Sequence, residues 1–492
     1  MIEKVKHKGL ALAVLAAAQF MVILDATIVN VALPAIQKAL GFTTDSQLQW
    51  VVTAYALVFG GFLLLGGRLA DLFGRRRIFS AGVALFAAAS FAAGFSQDPT
   101  QLIVFRALQG LGGALLAPSA LSLVLTIFKE GPERNKALGI WSMIAGGGGA
   151  VGLLLGGILT QYVDWRWIFF INIPIAIVVL LSANKYVPKS LPTAKQRIDY
   201  TGAVTITGSL MSVVYALAQA PEKGWGSTAT LGMLGLAAVL MAIFIVTEMK
   251  VKHPLIKLGI FKRRNVSGGT LIQLLMPAAL FGMFFYLSIY LQQVLHYSPV
   301  KTGLADVPFT LVLIAIAGVL SNKISKFNPK AILVIAPLVV AAGLLYFSRI
   351  PVHANYLTDV LPGIILMAAG MAAVFVTTTM VTTSGVSHEE SGLVSGLLNS
   401  GQQIGGAVGL AVLSVVSTSV TKSDIAAAHG NPAVMLDATV HGFQRGFMTG
   451  ALFAVGASLV ALVVLKVHKA TKADIDQEAE TEAEALAAIP GV

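Results

Sequence analysis

The sequence predicts an all-α integral membrane protein, and three observations support that class: composition, long apolar runs and the distribution of charge. Hydrophobic residues make up 56% of the 492 positions and charged residues 12%, about half of the roughly 25% that soluble domains carry. The mean hydropathy is +0.81, and soluble cores of ordinary size could not hide so much apolar surface. Runs near twenty residues recur along the chain, and each could cross roughly 30 Å of hydrocarbon. Because a bilayer gives the backbone no hydrogen-bond partners, each run is expected to be a helix.

Fourteen such runs are predicted to span the membrane. They cover residues 10–33, 48–67, 78–96, 101–128, 137–161, 167–184, 200–219, 229–248, 267–292, 302–321, 331–348, 358–383, 394–419 and 443–465. The first run follows a basic start but continues to Leu33 without a small-residue cleavage site, so it is interpreted as a span and not as a signal peptide. An even number of spans places both chain ends on one side of the membrane.

The positive charges predict which side that is. Most of the 34 Lys and Arg residues lie in the connections that share a side with the chain ends. Cytoplasmic loops carry such an excess, so both termini are predicted to be cytoplasmic. The same placement accounts for the net charge of +11, because basic residues at span ends meet anionic lipid. Nucleic acid is therefore not expected as a partner, and the acidic, Ala-rich stretch 469–492 is predicted to be a cytoplasmic tail.

A short pattern recurs after spans 2 and 10. Residues 67–75 read GRLADLFGR and residues 318–326 read GVLSNKISK, with glycine, leucine, Asp or Asn, a small residue and a cation at the same spacing. Duplicated halves are typical of secondary transporters, whose substrate site lies between the halves near the midplane. The alternative is two short loops with similar requirements.

Ionisable residues inside apolar runs mark candidate sites, because each costs about 2.5–3.5 kcal/mol at the bilayer centre. Asp25 lies about fifteen residues into span 1 and Arg106 about five residues from the outer end of span 4, so both fall in the outer half of the membrane. Opposite charges at similar depth are expected to pair. The pair is interpreted as a proton-sensitive carboxylate with its coupling cation, or alternatively as a fixed ion pair. Asp306 in span 10 is a candidate second site for a proton or a cationic substrate, or else lies near the outer interface.

Glycines are concentrated in span 5. Gly148, Gly152 and Gly156 are spaced by four, and Gly157 follows. Glycine costs a helix about 1 kcal/mol relative to alanine, and in membranes the usual compensation is close approach of another helix. A G-x-G-x-x-G match in this run lacks the strand–turn–helix context of a nucleotide site.

Motifs for other chemistry are missing from the sequence. It contains no P-loop, no G-x-S-x-G elbow, no H-E-x-x-H motif and no cysteine. Neither ATP-driven transport nor hydrolysis is supported, so no enzyme activity, catalytic residue, metal or cofactor is expected.

The latch loop, residues 67–77, is dense with charge for so short a connection. Gly74 can adopt a left-handed turn, and Asp71 can pair with Arg75 or cap a neighbouring helix. The loop that begins at Gly67 is interpreted as a latch that controls which side of the protein is open. The alternative is that Arg75, Arg76 and Arg77 only orient the helices.

These residues resemble the signatures of the major facilitator superfamily, specifically its fourteen-span drug:proton antiporters, over essentially the whole chain. Residues 67–76 are similar to the cytoplasmic loop signature of the superfamily, and R-x-x-Q-G-x-G at 106–112 is similar to its span 4 signature. Residues 24–34, LDATIVNVALP, and residues 165–174, WRWIFFINIP, resemble the fourteen-span exporters in particular.

The resemblance implies two six-helix bundles, residues 1–190 and 263–468, with two inserted spans in 191–262. It implies alternating access driven by inward proton flow, with Asp25 protonated, Arg106 as its coupling partner, and Asp71 with Arg75 as the latch. Matched spans nominate polar and aromatic residues for the substrate cavity: Trp50, Tyr55, Gln109, Asn172, Asn399 and Gln403. One departure is Leu153 in span 5, where the antiporter signature has a proline whose kink is absent.

The predicted function is a proton-coupled exporter of lipophilic, often cationic, drugs or toxic small molecules in a bacterial plasma membrane. Its expected partners are these substrates, protons and anionic lipids, and the chain is expected to be monomeric. The first alternative is a dedicated exporter of one metabolite, such as an antibiotic, a siderophore or a lipid-like acid. Proton-coupled uptake and a non-transporting receptor or scaffold are the others, and a scaffold would have no need of Asp25 and Arg106 in lipid.

Overall fold

The computed structural model describes residues 7–128, 132–189, 199–251, 254, 256, 258–323, 327–383, 388–427 and 435–466. Fourteen helices of fifteen residues or more run through these ranges, and strands do not occur in them. The helices are α1 Lys8–Leu40, α2 Trp50–Phe73, α3 Arg75–Gly94, α4 Pro99–Ile127, α5 Pro132–Tyr162, α6 Asn172–Tyr186, α7 Tyr200–Lys223, α8 Thr228–Lys250, α9 Arg264–Ile289, α10 Pro299–Lys323, α11 Pro329–Phe347, α12 Leu361–Thr383, α13 His388–Ala427 and α14 Met435–Val463.

Thirteen of these helices are long and apolar enough to cross a membrane, when α6 is counted together with the helical turn that precedes it, as Trp167–Tyr186. The remaining one, α5, has 31 residues and an apolar second half, Val151–Tyr162. At 1.5 Å per residue it is longer than the hydrocarbon is thick. The helices therefore correspond to the fourteen predicted spans. We call the side where α1 begins and α14 ends the terminal side, and the opposite side the far side.

Local sequence explains where the helices begin and end. Asp98, Asp199, Ser227 and Asn328 each cap a helix by accepting a hydrogen bond from a backbone N–H in its first turn. At the C-terminal end of α1, Gly41 takes a left-handed conformation with φ 72°. A side chain would be strained in that conformation, and the helix stops there.

Helix packing separates the chain into two halves and an inserted pair. Helices α1–α6 pack on one another, as do α9–α14. The inserted helix α7 packs against α8, α2 and α13. Between the halves, α2 packs against α13 and α5 against α10, and α1 touches α9. The two-bundle architecture with inserted helices is thus the observed one.

Candidate functional site

Asp25 lies in α1 with no exposed surface and is surrounded by donors from other helices. Its Oδ2 accepts a hydrogen bond from Arg106 Nη1 of α4 at 2.5 Å. Its Oδ1 accepts from Gln109 Nε2 at 2.6 Å and from Asn172 Nδ2 at 3.0 Å. Asp25 is the acceptor in all three bonds, as an ionised carboxylate must be. The two charges that the sequence places at similar depth therefore lie in direct contact.

Arg106 is also fully buried, at 1% exposure, and has neutral partners besides Asp25. Its Nε donates to the carbonyl of Val51 at 2.9 Å and its Nη1 to Gln109 Oε1 at 2.7 Å. The guanidinium carbon lies 4.3 Å from the centroid of the Tyr55 ring, which attracts a cation through its electron-rich face. These contacts could retain the guanidinium if Asp25 lost its charge.

Ser90 of α3 completes the network, and the sequence interpretation missed it. Its Oγ donates to the carbonyl of Phe169 at 2.9 Å and accepts from Gln109 at 3.1 Å and from Asn172 at 3.0 Å. Phe169 lies in the short helical turn Trp167–Phe170, and Asn172 is the first residue of α6. The only sequence signal was a hydroxyl in an Ala-rich run. That signal is weak, because a serine within a helix can equally bond the backbone of its own helix.

The residues predicted to line a substrate cavity separate into two groups. Gln109, Asn172 and Tyr55 are buried in the network around Asp25 and Arg106, with 0%, 0% and 3% exposure. In this conformation they support the ion pair and do not line an open cavity. Their direct contact with substrate stays a prediction.

The second group lies elsewhere. Trp50 is half-buried and its ring centroid is 6.4 Å from that of Tyr215 on the inserted helix α7. Gln403 of α13 is half-buried beside Gly60 of α2, at the contact between the halves. Asn399 is exposed and donates to the carbonyl of Ser395 at 2.9 Å. Gln403 and Asn399 thus lie on the helix of the second half that faces α2.

Asp306 lies in α10 and is 2% exposed. It lies about two turns into the helix that begins at Pro299. Its Oδ1 has no hydrogen-bond partner among the described residues. Among the described residues, no hydrogen bond or ion pair joins Asp306 to Asp25 or Arg106. The structure therefore does not bring all three predicted proton-coupling residues together.

The latch loop, predicted at residues 67–77, is helical except for Gly74: residues 67–73 end α2 and residues 75–77 begin α3, on the terminal side. Gly74 between these helices has φ 96°, a conformation that side chains rarely adopt. Arg75 donates to the Thr126 hydroxyl of α4, and Arg76 donates to the carbonyl of Val187 after α6 at 3.1 Å. These cations thus bind neighbouring helices of the same half. The side chain of Asp71 is outside the described residues, so its pairing with Arg75 stays a prediction.

Gly67, the first residue of the latch loop, has room for a side chain. A Cβ built on it would lie 3.7 Å from Pro118, whereas one on Gly66 would lie 2.0 Å from the carbonyl oxygen of Ala114. Gly66 and not Gly67 therefore permits the close approach of α2 and α4.

The glycines of α5 lie where other helices approach it. A Cβ on Gly148 would lie 3.1 Å from Ile23, one on Gly152 2.0 Å from the Thr27 hydroxyl, and one on Gly156 2.7 Å from the Ile28 carbonyl. All three contacts are with α1, the helix that carries Asp25. On the adjacent face, a Cβ on Gly157 would lie 2.6 Å from the carbonyl of Pro299 in α10. The glycine-rich helix thus packs against both halves.

The chain matches the family profile described as Major Facilitator Superfamily over residues 15–410. The chain belongs to the major facilitator superfamily. Among solved structures of this fold, a bacterial homologue of the human lysosomal transporter Spinster, in an inward-facing and occupied conformation, has a TM-score of 0.68 and 16% sequence identity. The match covers 93% of this chain and 97% of that one. The superfamily fold and the apolar helices together make this chain a multi-pass membrane protein.

Similar superfamily members are named for antibiotics. The puromycin resistance protein of Streptomyces alboniger is 41% identical over 457 residues, which cover 92% of this chain and 90% of that protein. The cephamycin export protein of Amycolatopsis lactamdurans is 37% identical over 431 residues, which cover 86% of this chain and 88% of that protein.

Proposed function

We propose that this chain is a proton-coupled antiporter that exports lipophilic drugs or toxic small molecules by alternating access. The observation that carries the proposal is the buried contact between Asp25 and Arg106, 2.5 Å apart. An ion pair in lipid is costly to maintain, and intramembrane ionisable residues mark proton or ion pathways by default. The resistance and export proteins that the chain resembles over most of its length support the direction of transport.

In the proposed mechanism, the ion pair is one of two charge states of the site. A proton that binds Asp25 removes its attraction for Arg106, and the guanidinium keeps the carbonyl of Val51, the amide of Gln109 and the ring of Tyr55. Neutral Asp25 then tolerates a different arrangement of α1 and α4. Release of the proton on the other side restores the pair. The helices of the first half thus respond to proton binding because their packing depends on that contact.

The proposed geometry of transport is a movement of residues 1–190 against residues 263–468. The terminal side is the cytoplasmic side in this proposal, because most of the basic residues lie there. Anionic lipid would bind the same basic residues, and one chain is the transport unit.

A cysteine at Ala39, exposed at the far end of α1, should react in intact cells with a membrane-impermeant thiol reagent. Lack of reaction there, with reaction in everted vesicles, would reverse the orientation.

Asp306 is proposed as a second ionisable site, for a proton or for the cationic group of a substrate. Its burial and the missing partner of its Oδ1 among the described residues support this role, because a buried carboxylate without a partner is unfavourable. In a substrate site, Asp306→Asn should impair export of cationic drugs and spare neutral ones. Equal loss for both kinds would instead indicate a proton site, and no loss for either would remove Asp306 from the mechanism.

A second candidate is export of one dedicated antibiotic. The names of the two relatives above favour it, since each refers to a single compound. The fold and the proton site would be the same in both cases. A panel of drugs therefore has to include puromycin and a β-lactam beside lipophilic cations such as ethidium.

The experiment that tests the proposed function measures proton movement in proteoliposomes. A pH gradient, acidic inside, is formed and each drug is added while internal pH is recorded. Wild-type protein should collapse the gradient when a substrate is added, and Asp25→Asn should not. Asp164→Asn is the matched control, because Asp164 is an exposed carboxylate just after the far end of α5, with 47% of its side chain accessible.

Two outcomes would contradict the proposal. If no drug in the panel collapses the gradient with wild-type protein, drug:proton antiport is wrong. If Asp25→Asn responds as wild type does, antiport stands and Asp25 is not its proton site.

A further inference from the structure

Helix α1 contains a proline nine residues after Asp25, and the structure indicates what this proline does. Pro34 has no N–H, so the carbonyl four residues earlier, that of Asn30, lacks its usual partner within the helix. That carbonyl accepts a hydrogen bond from Ser288 Oγ of α9 at 2.7 Å. A carbonyl that the proline leaves available in the first half is thus bound by a hydroxyl of the second half.

The next carbonyl along α1, that of Val31, also accepts a hydrogen bond from a side chain of the second half. Gln292 Nε2 donates to the carbonyl of Val31 at 2.8 Å and is within 3.3 Å of Ser288 Oγ. Gln292 lies in a π-helical turn, Tyr290–Val294, that continues α9. Such turns are frequent at functional sites because they change the direction in which side chains project. Just beyond, Gln293 Nε2 donates to Gln37 Oε1 at 2.8 Å.

These contacts lie in the far-side part of α1 and join the two halves. A state open to the far side would have to separate them, because α1 and α9 belong to opposite halves. Two side chains between Asp25 and Pro34 also bond backbone carbonyls of their own helix: Thr27 to Ile23 at 3.0 Å, and Asn30 to Ala26 at 3.2 Å. The proton site and the contact with the second half therefore lie on one continuous helical segment.

We propose that Ser288 and Gln292 are positioning residues that hold the protein closed on the far side by binding the carbonyls of Asn30 and Val31. Pro34 is required because it leaves the Asn30 carbonyl without a helical donor. With alanine at this position, the new N–H competes with Ser288 for that carbonyl. The inference rests on the proposed alternating access, and it adds which contacts hold one of the two states.

The test measures the distance between the halves at the far side, without drug or pH gradient. The chain has no cysteine, so spin labels can be attached at Ala39→Cys of α1 and Ser423→Cys of α13, both exposed. Double electron–electron resonance then gives the populations of short and long distances. In Ser288→Ala/Gln292→Leu the ratio of long to short distances should rise at least about fivefold, because two hydrogen bonds hold only the closed state. Pro34→Ala, which removes no donor, should shift the ratio in the same direction.

Gln444→Leu is the matched control. Gln444 Nε2 donates to the carbonyl of Ile350 at 2.8 Å, the same kind of bond at the same length as that of Gln292, but within the second half. This variant should leave the distance populations as in wild type. A shift as large as that of the double variant would show that loss of any such bond has this effect, and the proposal would fail.

A comparison with double variants shows whether Pro34 acts through the bond from Ser288 or by a general change in α1. Ser288→Ala should change the ratio at least about twofold when Pro34 is present and much less when residue 34 is alanine. Unchanged populations in both Pro34→Ala and Ser288→Ala/Gln292→Leu would overturn the proposal. Because no transport is measured, failure of the proposed drug export would appear only in the proteoliposome assay and would leave this result interpretable.

Discussion

At the scale of single residues, the central question is why Asp25 and Arg106 are kept in lipid at all. A buried ion pair gains little unless further hydrogen bonds satisfy both charges. Gln109 and Asn172 bond the carboxylate, and the carbonyl of Val51 bonds the guanidinium. With these bonds the pair can exist in the membrane, and the carboxylate without its guanidinium partner would be strongly unfavourable.

This balance predicts a non-additive effect on stability. Arg106→Gln should lower the thermal stability of the purified protein markedly, because removing one member of a buried pair costs roughly 3–5 kcal/mol. Asp25→Asn should cost less, since the guanidinium keeps Val51, Gln109 and Tyr55. The double variant Asp25→Asn/Arg106→Gln should be more stable than Arg106→Gln alone and should not carry out proton-driven transport. Thermal unfolding in detergent measures this, and additive losses would mean that the pair is not energetically coupled.

Asn172 and Asn399 are predicted to differ in their effect on drug range. Asn172→Leu removes a donor to a charged group, so proton-driven export should fall at least about tenfold for every substrate. Asn399→Leu should change the apparent KM for some drugs and not for others, because Asn399 is exposed and does not bond the ion pair. Transport assays with three chemically different drugs check both. If Asn172→Leu instead impaired export of some drugs and not of others, Asn172 would be a substrate-contacting residue.

Sequence reasoning was most accurate for the pairing of Asp25 with Arg106. Ionisable groups are rare in spans, so depth alone was sufficient to expect contact between Asp25 and Arg106. It did not predict the bonds of Gln109 and Asn172 to Asp25, because an amide in a span can face a neighbouring helix or a cavity, and one sequence does not distinguish these. The i, i+3 spacing of Arg106 and Gln109 does place both side chains on one face of α4, which is compatible with their observed bond.

At the scale of helices, α5 illustrates how glycine permits close packing beside the proton site. Its contacts with α1 run along the segment that carries Asp25, so a side chain at Gly152 or Gly156 would push the two helices apart. Leu153 occupies the position where the antiporter signature has proline, and a Cβ on Gly303 of α10 would lie 2.5 Å from its carbonyl oxygen. The helix thus passes α1 and α10 at short distance without a proline kink at this point.

Two glycines of α5 predict opposite changes in stability. In Gly156→Ala the new Cβ would lie 2.7 Å from the Ile28 carbonyl, whereas in Gly149→Ala its nearest neighbour would be Thr27 at 4.0 Å. Alanine gains up to about 1 kcal/mol of helix propensity at either site, but overpacking costs typically 1–3 kcal/mol. Gly156→Ala should therefore lower the unfolding temperature and Gly149→Ala should leave it equal or higher. A loss in both variants would contradict the packing described here.

The number of helices followed from apolar runs, but their lengths did not. The first apolar run was predicted at 10–33 and the thirteenth at 394–419, whereas the helices extend over Lys8–Leu40 and His388–Ala427. An apolar run ends near the membrane surface, while helical hydrogen bonding continues until a residue such as Gly41 stops it. Hydropathy therefore locates the part of a helix in lipid and not its cap.

At the scale of the whole molecule, contacts of α1 and α5 with the second half lie near their far ends. Beside the contacts of α1 with α9, Gln161 at the end of α5 accepts a hydrogen bond from the backbone N–H of Val300 in α10 at 3.1 Å. Sequence could not predict this arrangement, because a transporter with two conformations has one sequence for both. The side of the membrane on which the two halves touch depends on the conformation of the transporter.

These far-side contacts predict that a crosslink across them stops transport. Gln161→Cys and Val300→Cys, joined by a short bifunctional thiol reagent, should hold the far side closed and reduce export at least about tenfold. Asp424→Cys with His441→Cys is the control, because these residues of α13 and α14 touch at 2.5 Å within the second half and their crosslink should be tolerated. Full transport by the crosslinked 161/300 pair would show that this contact need not open.

The most direct test of the account compares two modes of transport in the Asp25→Asn variant. An imposed pH gradient should drive wild-type protein to accumulate labelled puromycin or ethidium against its gradient in everted vesicles. The variant should lose this proton-driven accumulation and still exchange labelled for unlabelled drug without a pH gradient, because exchange needs alternating access but no proton transfer. Loss of accumulation with retained exchange is the predicted result. Proton-driven accumulation by Asp25→Asn at the wild-type level would contradict the claim that Asp25 couples protons to export.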